Sequence, residues 1–292
     1  MIENQNNQNN IDLLCAQRQF YSDSKFFNLC NFSITVPVIC ALYLIRVFWK
    51  NPEFAAFVGF YAILALVVSL ILSSAAKSKQ ARAAAIQEKF DVEVLDLPTN
   101  SFHSDEEEDV IIEAAKKHKE KHSEDTLKDW YPSIIANQDK DLSTAICQSI
   151  NTKWDTRLRS RYLNFQWGIL SIFTLVVVSI SFFLKTPVQE LLLHTLLPLM
   201  AGLRFLIATI IAERSTQKNL TKIRSVCSSR IERLIEREEP SATAREVQDE
   251  IYRHRKSASS IPDWFFNKFK SKDHATLTAY TQNLINRFNS NG

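Results

Sequence analysis

FAAFVGFYAILALVVSLILSSAA, Phe54 to Ala76, carries no charged residue over a length that crosses the roughly 30 Å hydrocarbon core of a bilayer as a helix. Three more runs share this character: Phe26 to Trp49, Leu163 to Leu184 and Val188 to Ala212. Lys50, Asn51, Pro52 and Glu53 join the first to the second, and a turn with Lys185 and Pro187 joins the third to the fourth, so the runs pair into two helical hairpins. The intervening segments are strongly charged, which brings the mean hydropathy of the 292-residue chain down to -0.14. The reading is an all-α membrane protein: four transmembrane helices in two hairpins plus a helical cytoplasmic domain with at most a short extended segment.

The divisions follow: a cytoplasmic N-terminal segment, 1–25; hairpin one, 26–76; a cytoplasmic helical segment, 77–162; hairpin two, 163–212; and cytoplasmic C-terminal helices, 213–292, packing with 77–162. Lys and Arg flank the spans mainly on one side. Arg18, Lys25, Lys77, Lys79, Arg82 and Lys89 border hairpin one, and Lys153, Arg157, Arg159, Arg161, Arg214, Lys218 and Lys222 border hairpin two. The short turns hold only Lys50 and Lys185, so both termini are expected to be cytoplasmic. The first ten residues are mostly Asn and Gln and the first apolar run exceeds an h-region, so that run reads as an anchor rather than a cleaved signal.

Composition excludes several classes. Four glycines, Gly59, Gly168, Gly202 and Gly292, supply no loop to cradle a nucleotide phosphate as Rossmann and P-loop enzymes do. Five cysteines, Cys15, Cys30, Cys40, Cys147 and Cys227, lack ligand spacing and fit a reducing compartment. A net charge of +3 is too small to point to DNA or RNA as partner. No metal site is expected. His118 and His122 share a helical face, but within KHKEKH the lysines repel cations and a solvated helix is the better reading. The acidic run Asp105 to Asp109 suits a helix N-terminus, opening a charged helix from Asp105 to Lys121. No Ser/His/Asp set or carboxylate pair assembles by spacing, so no enzyme is expected.

Span two should continue as a helix through Ala81 to Phe90, followed by a short extended segment, Asp91 to Leu97, ending at Pro98. Leu142, Ile146, Ile150, Trp154, Leu158 and Tyr162 recur every four residues on a helix running into span three. Leu220, Ile223, Cys227, Ile231 and Leu234 mark a helix leaving span four. Pro240 and Ser241 should start the next helix, and Asp273 to Phe288 is the last, after the aromatic cluster Trp264, Phe265, Phe266 and Phe269. Pro37 and Pro198 should kink spans one and four.

Arg204 lies about eight residues inside the cytoplasmic end of span four, roughly 12 Å deep at the helical rise, where an arginine faces a partner, water or a strained path to the interface. His194 is a second intramembrane polar residue. Ser171, Thr174, Ser179 and Ser181 line span three, where hydroxyls bond back to their own carbonyls. Trp154, Arg157, Arg159 and Arg161, and then Tyr252, Arg253, His254, Arg255 and Lys256, set cations beside aromatic rings. That pattern fits a nucleotide, and also an interfacial anchor on anionic lipid.

AQRQFYSDSK at Ala16 to Lys25, QEKFDVEVLDLPTN at Gln87 to Asn100, DWYP at Asp129 to Pro132, ICQSINTKWDTRLRSRY at Ile146 to Tyr162 and QDEIYRHRK at Gln248 to Lys256, followed by PDWFFNKF, occur in an order that resembles the S-4TM family of pore-forming effectors over nearly the whole chain. The resemblance implies an effector of the bacterial antiphage defence called CBASS, encoded beside a cyclic-oligonucleotide synthase and acting by abortive infection at the inner membrane. A cyclic oligonucleotide would be its activating ligand, with no other cofactor. Trp154, Arg157, Arg159, Arg161, Tyr252, Arg253 and Arg255 would then be ligand-binding residues, with Arg204 and His194 intramembrane. The family's pattern has tryptophan where this chain has Thr99. The combined reading is a multi-pass homo-oligomer that senses the nucleotide and permeabilises the bilayer. The alternatives are a constitutive ion channel or transporter and a membrane-tethered adaptor.

Overall fold

The computed structural model describes residues 2–49, 51–183, 185, 187 and 195–290, with only the backbone at 154, 270–278 and 289. Helix α1, Gln8–Thr35, breaks at Val36, because Pro37 has no N–H to donate back to the preceding turn, and α2, Pro37–Phe48, carries the run onward. Helix α3, Pro52–Val94, starts under a cap: the Asn51 side chain accepts from the backbone N–H groups of Glu53 and Phe54 at 2.8 and 3.1 Å. Its 43 residues extend about 65 Å at the helical rise, far more than a bilayer needs. The remainder projects into a polar domain, as Ala83, Ile86, Phe90 and Val94 face its core.

Helices α4, Glu108–Lys119, α5, Lys140–Phe183, α6, Leu197–Ile235, α7, Ala244–Ser257, and α8, Asp263–Ser290, complete the chain. No strand occurs among the described residues. Among the described residues, three helical stretches are long and apolar enough to cross a membrane: α1 continued by α2, α3, and α5. The fourth expected span begins outside the described residues, at 188–194, and its described part is the start of α6. His194 also lies outside them.

One extramembrane core collects Ile11, Leu14 and Phe20 from α1, Phe90 from α3, Ile111 from α4, Ile146 from α5, Ile231 from α6 and Leu284 from α8. Residues 8–25, in the N-terminal segment, are therefore a packed helix. The stripes expected on α5 and α6 face inward: Leu142, Ile146, Ile150 and Leu158, and Leu220, Ile223, Cys227 and Ile231, are buried. A smaller cluster of Ile39, Tyr43, Ala65, Leu199 and Ala201 joins the membrane-length helices. Phe60, Ile63, Ile71, Ile172 and Leu175 stay exposed, as lipid-facing residues do.

Four boundaries differ from the sequence expectation; the first is α4, which starts at Glu108 rather than at Asp105. Asp91 to Val94 is helix, not extended chain. α3 ends one turn later, where Asp96 turns left-handed at φ 49° and the Leu97 N–H reaches back to the Val92 carbonyl at 3.0 Å. α7 starts at Ala244 rather than at Pro240 and Ser241, because Thr243 and Glu246 form a capping box. α8 starts at Asp263, so the aromatic cluster occupies its first two turns, with Phe265 packed against Tyr162 of α5 at 5.2 Å between ring centroids.

Candidate functional site: a buried charged junction

α3 turns Glu88 and Asp91 into the domain, where α7 crosses it, and the small Ala84 and Ala85 let the Tyr252 ring approach. Asp91 Oδ1 accepts the Tyr131 hydroxyl at 2.7 Å, and its Oδ2 accepts Gln248 Nε2 at 3.0 Å and the Arg255 guanidinium. Asn151 of α5 donates to the Tyr131 oxygen at 2.9 Å. Glu88 accepts Gln248 at 2.8 Å and pairs with Arg245, which also grips Asp249 at 2.7 Å. Burial works against the charge on Arg255, but the adjacent Asp91 carboxylate outweighs it and holds the guanidinium above its ordinary range. Burial, helped by Asp91, raises the Tyr131 phenol.

Glu88, His103 and Asp249 each bring a ligand atom within 4.8 Å of the others, the density of a metal site. Arg245 lies between the same two carboxylates, however, and supplies the cation they need. His103 is further occupied by stacking on Tyr252, with ring centroids 4.1 Å apart. This is the chemistry of an ion-pair lattice. His118, expected on a solvated face, is buried on α4 with its ring centroid 4.9 Å from that of His122.

A second group lies toward the membrane. Arg159 of α5 pairs with Asp155 at 2.7 Å and with Glu213 of α6 at 3.1 Å, and it donates to the Ser259 carbonyl at 2.9 Å. His254 of α7 meets the same Asp155 at 3.1 Å. One guanidinium thus ties α5 to α6 and to the segment just after α7. Burial would raise the Asp155 carboxyl, yet Arg159 and the His254 bond hold it at about 2, below its ordinary 3.8. A carboxyl depressed in the fold stabilises above its unfolded value and ceases to do so as pH falls through the folded one. Asp155→Asn is therefore expected to lose stability at neutral pH, by about 2 kcal/mol on that shift, and to converge with the wild type as pH drops from 4 to 2, in unfolding curves of the detergent-solubilised protein.

The structure divides the cations singled out in the sequence. Arg159 and Arg255 are paired with buried carboxylates. Tyr252 is buried against His103, with its hydroxyl 2.8 Å from Ser104 Oγ. Arg161 covers the Phe269 ring at 4.6 Å, and Arg253 is exposed beside Glu250 at 3.1 Å. Arg157 is exposed on α5, along which Trp154 also lies. Near it, burial and the charges of Arg224 and Arg157 press the Lys153 ammonium down to about 8. Thr99 is exposed beside Pro98, whose carbonyl accepts Arg245 at 3.0 Å. Arg204 is exposed on α6, with Nη1 3.4 Å from Ser69 Oγ. Thr174 and Ser181 bond back to the Leu170 and Val177 carbonyls at 2.9 Å, as expected of hydroxyls in an apolar helix.

Sequence reasoning missed Glu88, Asp91, Tyr131, Asn151, Arg245 and Gln248. Their available signal was polar residues at helical spacing on an apolar face, as Asp91 is beside Phe90 and Val94.

Helices long and apolar enough to cross a membrane that run unbroken into a packed polar region, tied at the junction by buried ion pairs, give an all-helical protein of the kind that sits in a membrane. The SMODS-associating 4TM effector domain matches residues 1–284, and the chain belongs to that family. It is 23% identical over 297 residues, 99% of each chain, to a protein of Bacillus cereus (strain VD146) described as "Probable CBASS effector molecule". No solved structure matches it.

Proposed function

We propose that this protein is a CBASS effector of bacterial antiviral defence, functionally coupled to a cyclic-nucleotide synthase, which senses a cyclic oligonucleotide with its extramembrane domain and permeabilises the inner membrane. Family membership and the full-length likeness to a protein described as a CBASS effector support the role. The observation that carries the mechanism is the continuity of α3, α5 and α6 from the membrane runs into the charged junction. Any rearrangement at Asp91, Arg255 or Arg159 moves helices that also cross the bilayer. The start of α6 is the fourth span, both termini are cytoplasmic, and subunits assemble as a homo-oligomer.

The nucleotide's phosphates meet cations that are not already committed to carboxylates. Arg159 and Arg255 are committed, so they serve as coupling residues. Lys153, Arg157 and Arg224, across α5 and α6, are the phosphate contacts, since among the described residues none of them pairs with a carboxylate. The ligand shifts the equilibrium only by binding the open or assembled state more tightly than the resting one. Arg157→Glu with Arg224→Glu is expected to weaken nucleotide binding at least ~100-fold, on about 1.5–3 kcal/mol per charged hydrogen bond, without changing membrane insertion. Unchanged affinity would reject these contacts.

Dye release from liposomes, with and without a panel of cyclic di- and trinucleotides, tests the function itself. Release with one nucleotide only is the expected result. Release without any would indicate a constitutive pore, and no release from confirmed proteoliposomes an adaptor.

A further inference from the structure

We infer that Arg204 lines a water-filled path through the bilayer and makes that path selective for small inorganic anions. The inference rests on the permeabilising reading above and adds which ions pass. Within the four apolar runs the only carboxylate is Glu190, fourteen positions before Arg204. Arg204 is nevertheless exposed, midway along a face of α6 formed by Leu197, Met200, Ile207 and Ile211.

Retreat to the nearer interface is disfavoured by direction. Helical side chains lean toward the N-terminus of their helix, and for α6 that is away from the polar domain, so the guanidinium points toward the bilayer interior. What it meets there is polar. Ser69 Oγ is 3.4 Å from Nη1, Asn31 donates to the Ser69 carbonyl at 3.3 Å and to Ser73 Oγ at 2.9 Å, and Asn31 Oδ1 is buried with no partner among the described residues. The break at Val36 lies one turn beyond Asn31 in the same region. An exposed guanidinium whose neighbour is a neutral serine hydroxyl, with no carboxylate paired to it among the described residues, is neutralised by mobile anions in water. Such a ring of positive charge raises the local anion concentration in a pore.

The test is the reversal potential under a KCl gradient, in planar bilayers holding the full chain activated by the nucleotide that triggers dye release. Wild type is expected to pass chloride several-fold better than potassium. Arg204→Lys should keep that preference, Arg204→Gln should lose most of it, and Arg204→Glu should invert it. Flotation of each proteoliposome confirms insertion, and the Lys and Gln variants carry the test if the Glu variant fails to insert. An unselective wild type, or a selectivity that Arg204→Gln leaves unchanged, overturns the inference while leaving permeabilisation intact. A shift only in dependence on anionic lipid would place the side chain on headgroups, and also overturns it. No conductance at all rejects the permeabilising reading and this inference with it.

Discussion

Asp91→Ala is expected to destabilise the extramembrane domain by about 3–5 kcal/mol, the cost of breaking a buried ion pair from one side. Asp91 is fully buried and is the acceptor shared by Arg255, Tyr131 and Gln248. Its removal leaves a guanidinium without its countercharge and a phenol without an acceptor, in a place water cannot reach to compensate. Asp91→Asn keeps the shape and an oxygen for Tyr131 but offers Arg255 no charge, so it should fall between wild type and Ala. The double variant Asp91→Ala with Arg255→Met should lose less than the two single losses combined, because it removes the stranded charge. Thermal unfolding in detergent gives the global value. Thiol labelling of Cys147, fully buried in the adjoining core, reports the local one. Wild-type stability and protection of Cys147 in Asp91→Ala would show that the junction contributes nothing.

How much of this was legible beforehand depends on the range of the interaction. The stripes on α5 and α6 are local patterns, and spacing alone put Leu142, Ile146 and Ile223 on buried faces. The helix end at Leu95 was not legible. Asp91 to Val94 alternates acid and valine as a strand would, but Asp91 is held helical by partners on α7 and in the loop at Tyr131, and their positions depend on the whole fold. The same limit applies to the cations. Arg159 and Arg255 looked available because their carboxylates, Glu213 and Asp91, are far away in the chain. Arg157 and Arg161 are equally basic as letters, yet the helix turns the first to solvent and the second over Phe269. The kink expected at Pro37 is present because it follows from a missing N–H and needs no distant partner.

That kink sets up the other large effect. Gly202→Val is expected to separate α6 from α1 and abolish membrane activity, with the extramembrane domain still folded. At Gly202 a Cβ atom would stand 2.6 Å from the Thr35 carbonyl oxygen, closer than carbon and oxygen tolerate. The obstacle is backbone at the Pro37 break, not the flexible end of a side chain, so neither helix yields without moving along its length. Small residues let membrane helices approach in this way, and no hydrophobic drive replaces the lost packing, because lipid is as apolar as the helix surface. Gly202→Ala already overpacks the contact, at about 1–3 kcal/mol, and Val adds a branched side chain at the same place. Gly59 and Gly168 supply the control, since a Cβ at either meets nothing within 4 Å. Alanine there should be neutral or slightly stabilising, by up to ~1 kcal/mol, as alanine is the better helix former. Dye release and thermal unfolding of the three Ala variants and Gly202→Val separate a specific crossing from general intolerance of substitution in the spans. If Gly202→Val retains release and melts with the wild type, α1 and α6 do not depend on close approach at Thr35.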